Sequence, residues 1–130
     1  MSEIFLIEII SPSQSILKSE ATEVTIPSYE GQMGILKDHI SLITFLRPGL
    51  IKIKKENEEK IFFIEDGIVE FKNNNLLILT STSKSLENLD KDFLDMIIKD
   101  SEEKMNKEEI SDKEKYLLSH KIDTIREINQ

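Results

Sequence analysis

Two imidazoles, His39 and His120, are the side chains of this 130-residue chain best suited to exchanging protons near neutrality. They stand 81 positions apart. A catalytic histidine needs a nucleophile or a carboxylate brought to it by the fold. No nucleophile elbow surrounds either residue, and His120 falls in the C-terminal tail. His39 therefore reads as a turn histidine hydrogen-bonded to backbone. Two distant histidines and no cysteine make no metal-ligand cluster, and disulfides are excluded outright. Glu56, Glu58 and Glu59 come nearest to a paired acid, but they crowd a polar hairpin tip and read as solvated. No G-x-x-x-x-G-K-S/T run is present, so there is no P-loop. No cofactor is implied.

Composition narrows the class further. The net charge of −8 argues against nucleic acid, whose phosphates call for basic patches, and against anionic lipid surfaces. Its plain meaning is solubility. The first ten residues are apolar but carry no basic leader and no small-residue cleavage site, so they read as a strand rather than a signal peptide. No apolar run approaches the roughly 20 residues of a membrane span. Membrane association is expected only through a protein partner, and the lack of cysteine suits an intracellular protein.

The elements that must position any site follow from breakers and periodicity. Residues 24–53 hold Pro27, Pro48, Gly31, Gly34 and Gly49, with short apolar runs between them. Glycine and proline at such spacing predict short strands with sharp corners. The same reading gives strands at Ile4 to Ile10, Ile16 to Ala21, Thr22 to Ile26, Met33 to Leu36, Ile40 to Leu46, Leu50 to Lys55, Ile61 to Ile64, Ile68 to Phe71 and Leu76 to Thr80. Together they predict an N-terminal antiparallel β-sandwich over residues 1–85. After Ser81 proline and glycine vanish, and Ser81 to Asn88 reads as a linker. Residues 86–130 then predict a C-terminal α-helical hairpin with helices at about 89–105 and 112–128. Asn88 is the expected first N-cap, and Ser111 with Glu114 forms the S-x-x-E signature of the second. Leu89, Phe93, Met96 and Ile97 form one apolar stripe, and Leu118, Ile122 and Ile125 the other. The stripes are expected to pack on each other and keep the hairpin folded against the sandwich. The hairpin carries 8 basic and 13 acidic residues, net −5.

The order of residues is more specific than the pattern. Ile26-Pro27, Gly31, Gly34-Ile35-Leu36 and His39 spell I-P-x-x-x-G-x-x-G-I-L-x-x-H, and Pro48 to Ile53 spells P-G-x-I-x-I. With I-x-I-I-S-P at 7–12 and F-F-I-E-D-G-I-V-E-F at 62–71, this resembles the epsilon subunit of bacterial F-type ATP synthases, a part of the rotating central stalk. The resemblance covers nearly the whole chain. It departs from the family at turn residues Ser28, Lys37 and Asp66, and at Phe93-Leu94, where the family often has Arg-Ala. It implies a non-catalytic rotor subunit that couples rotation of the c ring and the gamma subunit to ATP synthesis. It also implies a place at the cytoplasmic face of the bacterial inner membrane. By resemblance, the loop Gly31-Gln32-Met33-Gly34 faces the c ring, with Met33 as a soft apolar contact, and His39 lies near gamma. Through the hairpin, the catalytic beta subunit becomes a further partner. Phe93 in place of the arginine, and the acidity of the hairpin, lead to an expectation of little or no ATP binding and a weak brake on hydrolysis. The rival reading is a free-standing regulator that binds a small ligand in a cavity of the sandwich.

Overall fold

Strong β-formers between glycine and proline corners give ten strands among the described residues, 3–107 and 109–129 of this computed structural model. They are β1 Phe5–Ser11, β2 Gln14–Ala21, β3 Glu23–Ser28, β4 Gly31–Leu36, β5 Leu42–Leu46, β6 Gly49–Lys55, β7 Glu58–Ile64, β8 Gly67–Lys72, β9 Asn75–Leu79 and β10 Ser83–Ser85. They hydrogen-bond in the order β10-β7-β6-β3-β5-β8-β9-β1-β2, with β4 on β3. The path turns at β3. Glu23 to Thr25 pair with Lys54 to Lys52 of β6, while Ser28 pairs with Leu46 of β5. One half can thereby face the other across a single core of Ile7, Ile9, Val24, Ile26, Ile35, Ile51, Ile64, Val69, Phe71 and Ile78, with further residues around them. The sandwich followed by two helices is the architecture expected from the residues.

One pair departs from the antiparallel expectation. β1 lies parallel to β9, with Leu6 opposite Asn75 and Ile10 opposite Leu79. Parallel neighbours need a long connection, and these two strands are among the most distant in the chain.

Two close contacts shape the corners. Gly31 has φ +123°, a conformation closed to most side chains, and opens β4 directly after the Tyr29-Glu30 turn. A Cβ on Gly49 would stand 2.6 Å from the Cβ of Pro27, so only glycine fits there.

The chain divides into two compact units, Met1–Leu86 and Glu87–Gln130. The expected linker is partly ordered: β10 adds to the edge of β7, with Ser83 opposite Ile64, and Leu86–Asn88 form one 3-10 turn. That turn takes up Asn88, so the first cap moves to Asp90, whose carboxylate accepts from Phe93 N at 2.7 Å. Helix α1 is Lys91–Met105 and α2 is Asp112–Ile128. Ser111 Oγ accepts from Glu114 N at 3.1 Å, as the S-x-x-E spacing predicts. The helices pack on one another.

The inner stripe of α1 differs from the expected one. Leu94 is 5% exposed and Ser101 is fully buried, while Met96 is 60% exposed, Phe93 and Ile97 are half-buried and Leu89 precedes the helix. Leu94, Ile97, Ile98 and Ser101 fall at i, i+3, i+4 and i+7, a helical face as regular as the predicted one. One residue of phase is about 100° of rotation. On α2, Leu118, Ile122 and Ile125 are buried. Leu94→Ala should therefore destabilise the hairpin by about 2–4 kcal/mol. Met96→Ala should change it by less than about 0.5 kcal/mol. Helix unfolding followed by circular dichroism in urea separates the two.

Candidate docking surface

The five predicted contact residues do not form one site. Gly31, Gln32, Met33 and Gly34 form the first two-thirds of β4, paired with Ser28, Pro27, Ile26 and Thr25. His39 lies beyond the other end of the strand, which spans about 17 Å from Gly31 to Leu36 at 3.3 Å per residue. Alternation along β4 sends Gln32 and Gly34 outward and Met33 inward. Met33 is thus not the exposed apolar contact expected of it, but packs partly buried against the core. The loop itself is only Tyr29-Glu30, and its geometry is fixed by Ser28 Oγ donating to the Gly31 carbonyl at 2.7 Å.

His39 is half-buried and tied down on three sides. Its backbone N donates to the Leu36 carbonyl at 3.1 Å, and its Nδ1 donates to the Ile40 carbonyl at 2.8 Å. Its ring meets Phe71 edge-on, centroids 6.0 Å apart. This is the backbone-bonded turn histidine read from the sequence, with no nucleophile among its recorded hydrogen bonds.

Sequence reasoning missed the most conspicuous feature of the sandwich. Ile40 is 78% exposed, Ile43 70% and Phe45 61%, all within one six-residue run. Ile43 and Phe45 occupy the outer face of β5, where a half-solvated strand ordinarily carries polar residues. The register continues the apolar row across the sheet: Phe45 opposes Ile68, Ile68 opposes Leu79, and Leu79 opposes Ile10. Side chains directly opposite sit about 5 Å apart, so these four make one continuous strip. Beside it, Glu70 stands across from both Ile43 and Leu77, exposed and outside every ion pair recorded among the described residues. The signal was available in the sequence, since Leu42-Ile43-Thr44-Phe45-Leu46 offers apolar residues to both faces and only one can be core.

At the Tyr29 end the strip opens into a groove of about 570 Å³ lined by Tyr29, Phe45, Ile68, Leu79, Ile10 and Pro12 among others. One wall is braced. The Asp66 carboxylate accepts from Ser81 N at 2.9 Å and from Ser81 Oγ at 2.7 Å, and Thr80 Oγ1 donates to the Asp66 carbonyl at 2.7 Å. The groove lies open on the outside of the sheet, while the interior is filled by residues of 0–6% exposure. Among the described residues, no group of three or more His, Cys, Asp or Glu could hold a metal ion, and no helix is long and apolar enough to cross a membrane.

A sandwich with an exposed apolar strip carries a surface of the kind that marks protein interfaces. Residues 5–85 match the family model described as ATP synthase, Delta/Epsilon chain, beta-sandwich domain. The ATP synthase epsilon chain of Pelagibacter ubique is 49% identical over 130 residues, covering 99% of this chain and all of that one. The epsilon chain of Dichelobacter nodosus is 28% identical, covering 88% of this chain and 86% of its own. A chain in the Euglena gracilis mitochondrial ATP synthase structure, containing OSCP, F1 and c ring, shares the fold at TM-score 0.83 and 18% identity, over 98% of this chain and 82% of that one. The chain belongs to the ATP synthase epsilon chain family and is a non-catalytic member of it.

The strip is not needed to hold the fold. Replacing Phe45 and Ile68 together by threonine should leave the melting temperature within about 3 °C, because both side chains lie on the exposed face and threonine is a strong strand former. Fluorescence of a hydrophobic-surface dye bound to the protein should fall. A large drop in melting temperature would mean the strip belongs to the core.

Proposed function

We propose that the chain fastens the ring of c subunits to the gamma subunit, so that ring, gamma and this chain turn as one body while ATP forms elsewhere in the complex. The observation that carries this is the run from Ile40 to Phe45, the most exposed apolar side chains among the described residues, held on a corner and strand of a rigid sheet. Exposed apolar strips of this kind mark protein interfaces. Likeness to epsilon chains is what favours gamma and the c ring as the partners in this reading. The corner at Asp38 to Ile40 and the outer strip face gamma. The Tyr29 turn, with Gln32 and Gly34 beside it, faces the c ring. Glu70 within the strip fits a basic group on the partner. Held this way, the chain sits at the cytoplasmic face of the bacterial inner membrane through its partners.

The sandwich does the coupling. A chain ending at Leu86, which keeps β10, should restore proton-driven ATP synthesis to membranes stripped of this subunit. The full chain carrying Ile43→Glu and Phe45→Glu should not, since two buried unpaired charges cost several kcal/mol at an interface. Restoration by the charged variant would overturn the assignment of this face.

The hairpin is a weak brake. With 8 basic and 13 acidic residues it meets an acidic partner surface with like charge. Phe93, half-buried at the start of α1, offers no cation for a nucleotide phosphate. Calorimetric titration of the isolated protein with ATP should show no binding tighter than about 100 μM, equivalent to about −5.5 kcal/mol. Deleting residues 87–130 should raise ATP hydrolysis by the assembled complex less than about twofold, or roughly 0.4 kcal/mol in barrier. A several-fold rise would show a working brake.

A further inference from the structure

We propose that Asn74, at the tip of the β8–β9 hairpin, is a positioning residue for the docking corner, holding Asp38 so that Ile40 is presented ready for its partner. The proposal rests on the reading that this corner docks. Asp38 and Asn74 are 36 residues apart, yet each answers the other. The Asp38 backbone N donates to Asn74 Oδ1 at 2.7 Å, and Asn74 Nδ2 donates to Asp38 Oδ1 at 3.0 Å. A carboxamide is suited to this, because it offers an acceptor to an N–H and a donor to a carboxylate at once. Both residues are left-handed, with φ 67° at Asp38 and 59° at Asn74. Asparagine and aspartate visit that region more readily than other non-glycine residues, but still against their ordinary preference.

The register shows why the two meet. Leu42 pairs with Phe71, so the corner before β5 runs alongside the turn after β8. Asn73, with φ 52°, and Asn74 supply the two positive φ angles that a tight two-residue hairpin turn needs. The Asn74 carbonyl accepts from Leu6 N at 3.0 Å, which anchors the tip on β1. The clasp therefore ties a mobile kind of segment, an inter-strand corner, to a point already fixed at the far side of the sheet. His39, bonded to Leu36 and Ile40 and set against Phe71, holds the corner from inside. The backbone on both sides of Ile40 is thus held while its side chain stays in solvent. A side chain presented this way surrenders little backbone freedom on binding, and the same isoleucine on a loose loop would surrender much more.

The test uses the full chain and its rebinding to ATP synthase particles stripped of this subunit. Asn74→Gly removes the clasp but keeps a residue that accepts positive φ, so the turn persists. Its melting temperature should stay within about 3 °C of the parent. Amide exchange at Asp38 and His39 should accelerate, and affinity should fall about fivefold, the ordering of one or two side chains deferred to the moment of binding. The exchange Asp38→Asn with Asn74→Asp should bring affinity back to within about twofold, because a carboxylate at 74 can accept from both the backbone and the carboxamide at 38. Ile40→Ala is the control for the corner itself. If Ile40→Ala weakens rebinding and Asn74→Gly does not, the corner docks without the clasp and the proposal is overturned while the docking reading stands. If neither weakens it, the docking reading fails and the proposal with it. A fall in melting temperature for Asn74→Gly large enough to account for the lost affinity would make the clasp a folding contact only, and would also overturn the proposal.

Discussion

The contact between Pro27 and Gly49 is the constraint on which the two layers depend. β3 must leave β6 and take up β5 within one strand, and Pro27 sits at that exchange with no N–H to commit to either side. Its carbonyl accepts from Arg47 N at 3.0 Å, tying on the end of β5. Its ring lies where any side chain at residue 49 would be, so β6 can start there only as glycine. Pro48 between them forces the turn. A single proline-glycine crossing thus lets one sheet bend over its own core, which is what makes a filled interior and two usable outer faces from fewer than ninety residues.

For a rotor subunit, that filled interior matters as much as the outer strip. Torque passes through a body without being stored only if the body does not shear. Interdigitated side chains and cross-strand bonds resist sliding because close-packed interiors do not deform continuously. The strip from Ile40 to Phe45, the braced wall at Asp66 and Ser81, and the turn at Tyr29 are all grafted on this stiff frame. None sits on a long loop. The helical pair buries fewer side chains, Leu94 and Ser101 on α1 and Leu118, Ile122, Thr124 and Ile125 on α2, and Ser101 Oγ is buried without a hydrogen-bond partner among the described residues.

Much of the frame was legible in the residues, and the losses have physical reasons. Pro27, Gly31, Pro48 and Gly49 punctuate the strands because their backbone chemistry leaves few alternatives. Ser111 and Glu114 marked the start of α2 because capping is local. The parallel pairing of β1 with β9 was out of reach, since it joins distant segments and leaves no local mark. β10 was invisible because Ser-Lys-Ser has no apolar alternation to mark a strand. Asn88 and Asp90 are equally good caps, and only the 3-10 turn decides between them. The phase of α1 was ambiguous because Phe93-Leu94 and Ile97-Ile98 are apolar doublets that serve either face. Met33 was misjudged from its flanking glycines, when strand alternation from Ile35 would have turned it inward. The outer strip was missed for the opposite reason: an apolar residue was assumed to be core wherever a core was available.

The outer strip also bears on what happens to copies made in excess of their partners. An unassembled chain carries a sticky stripe of Phe45, Ile68 and Leu79 into solution with nothing to cover it. The net charge of −8 is then a colloidal safeguard, since two such chains repel before their stripes can meet. The safeguard is electrostatic and the hazard is not, so they respond differently to salt. At about 0.15 M ionic strength the repulsion already fades beyond roughly 8 Å. Orphan copies are thus kept apart only at arm's length, and a rise in salt would shorten their survival in solution without touching the stability of the fold.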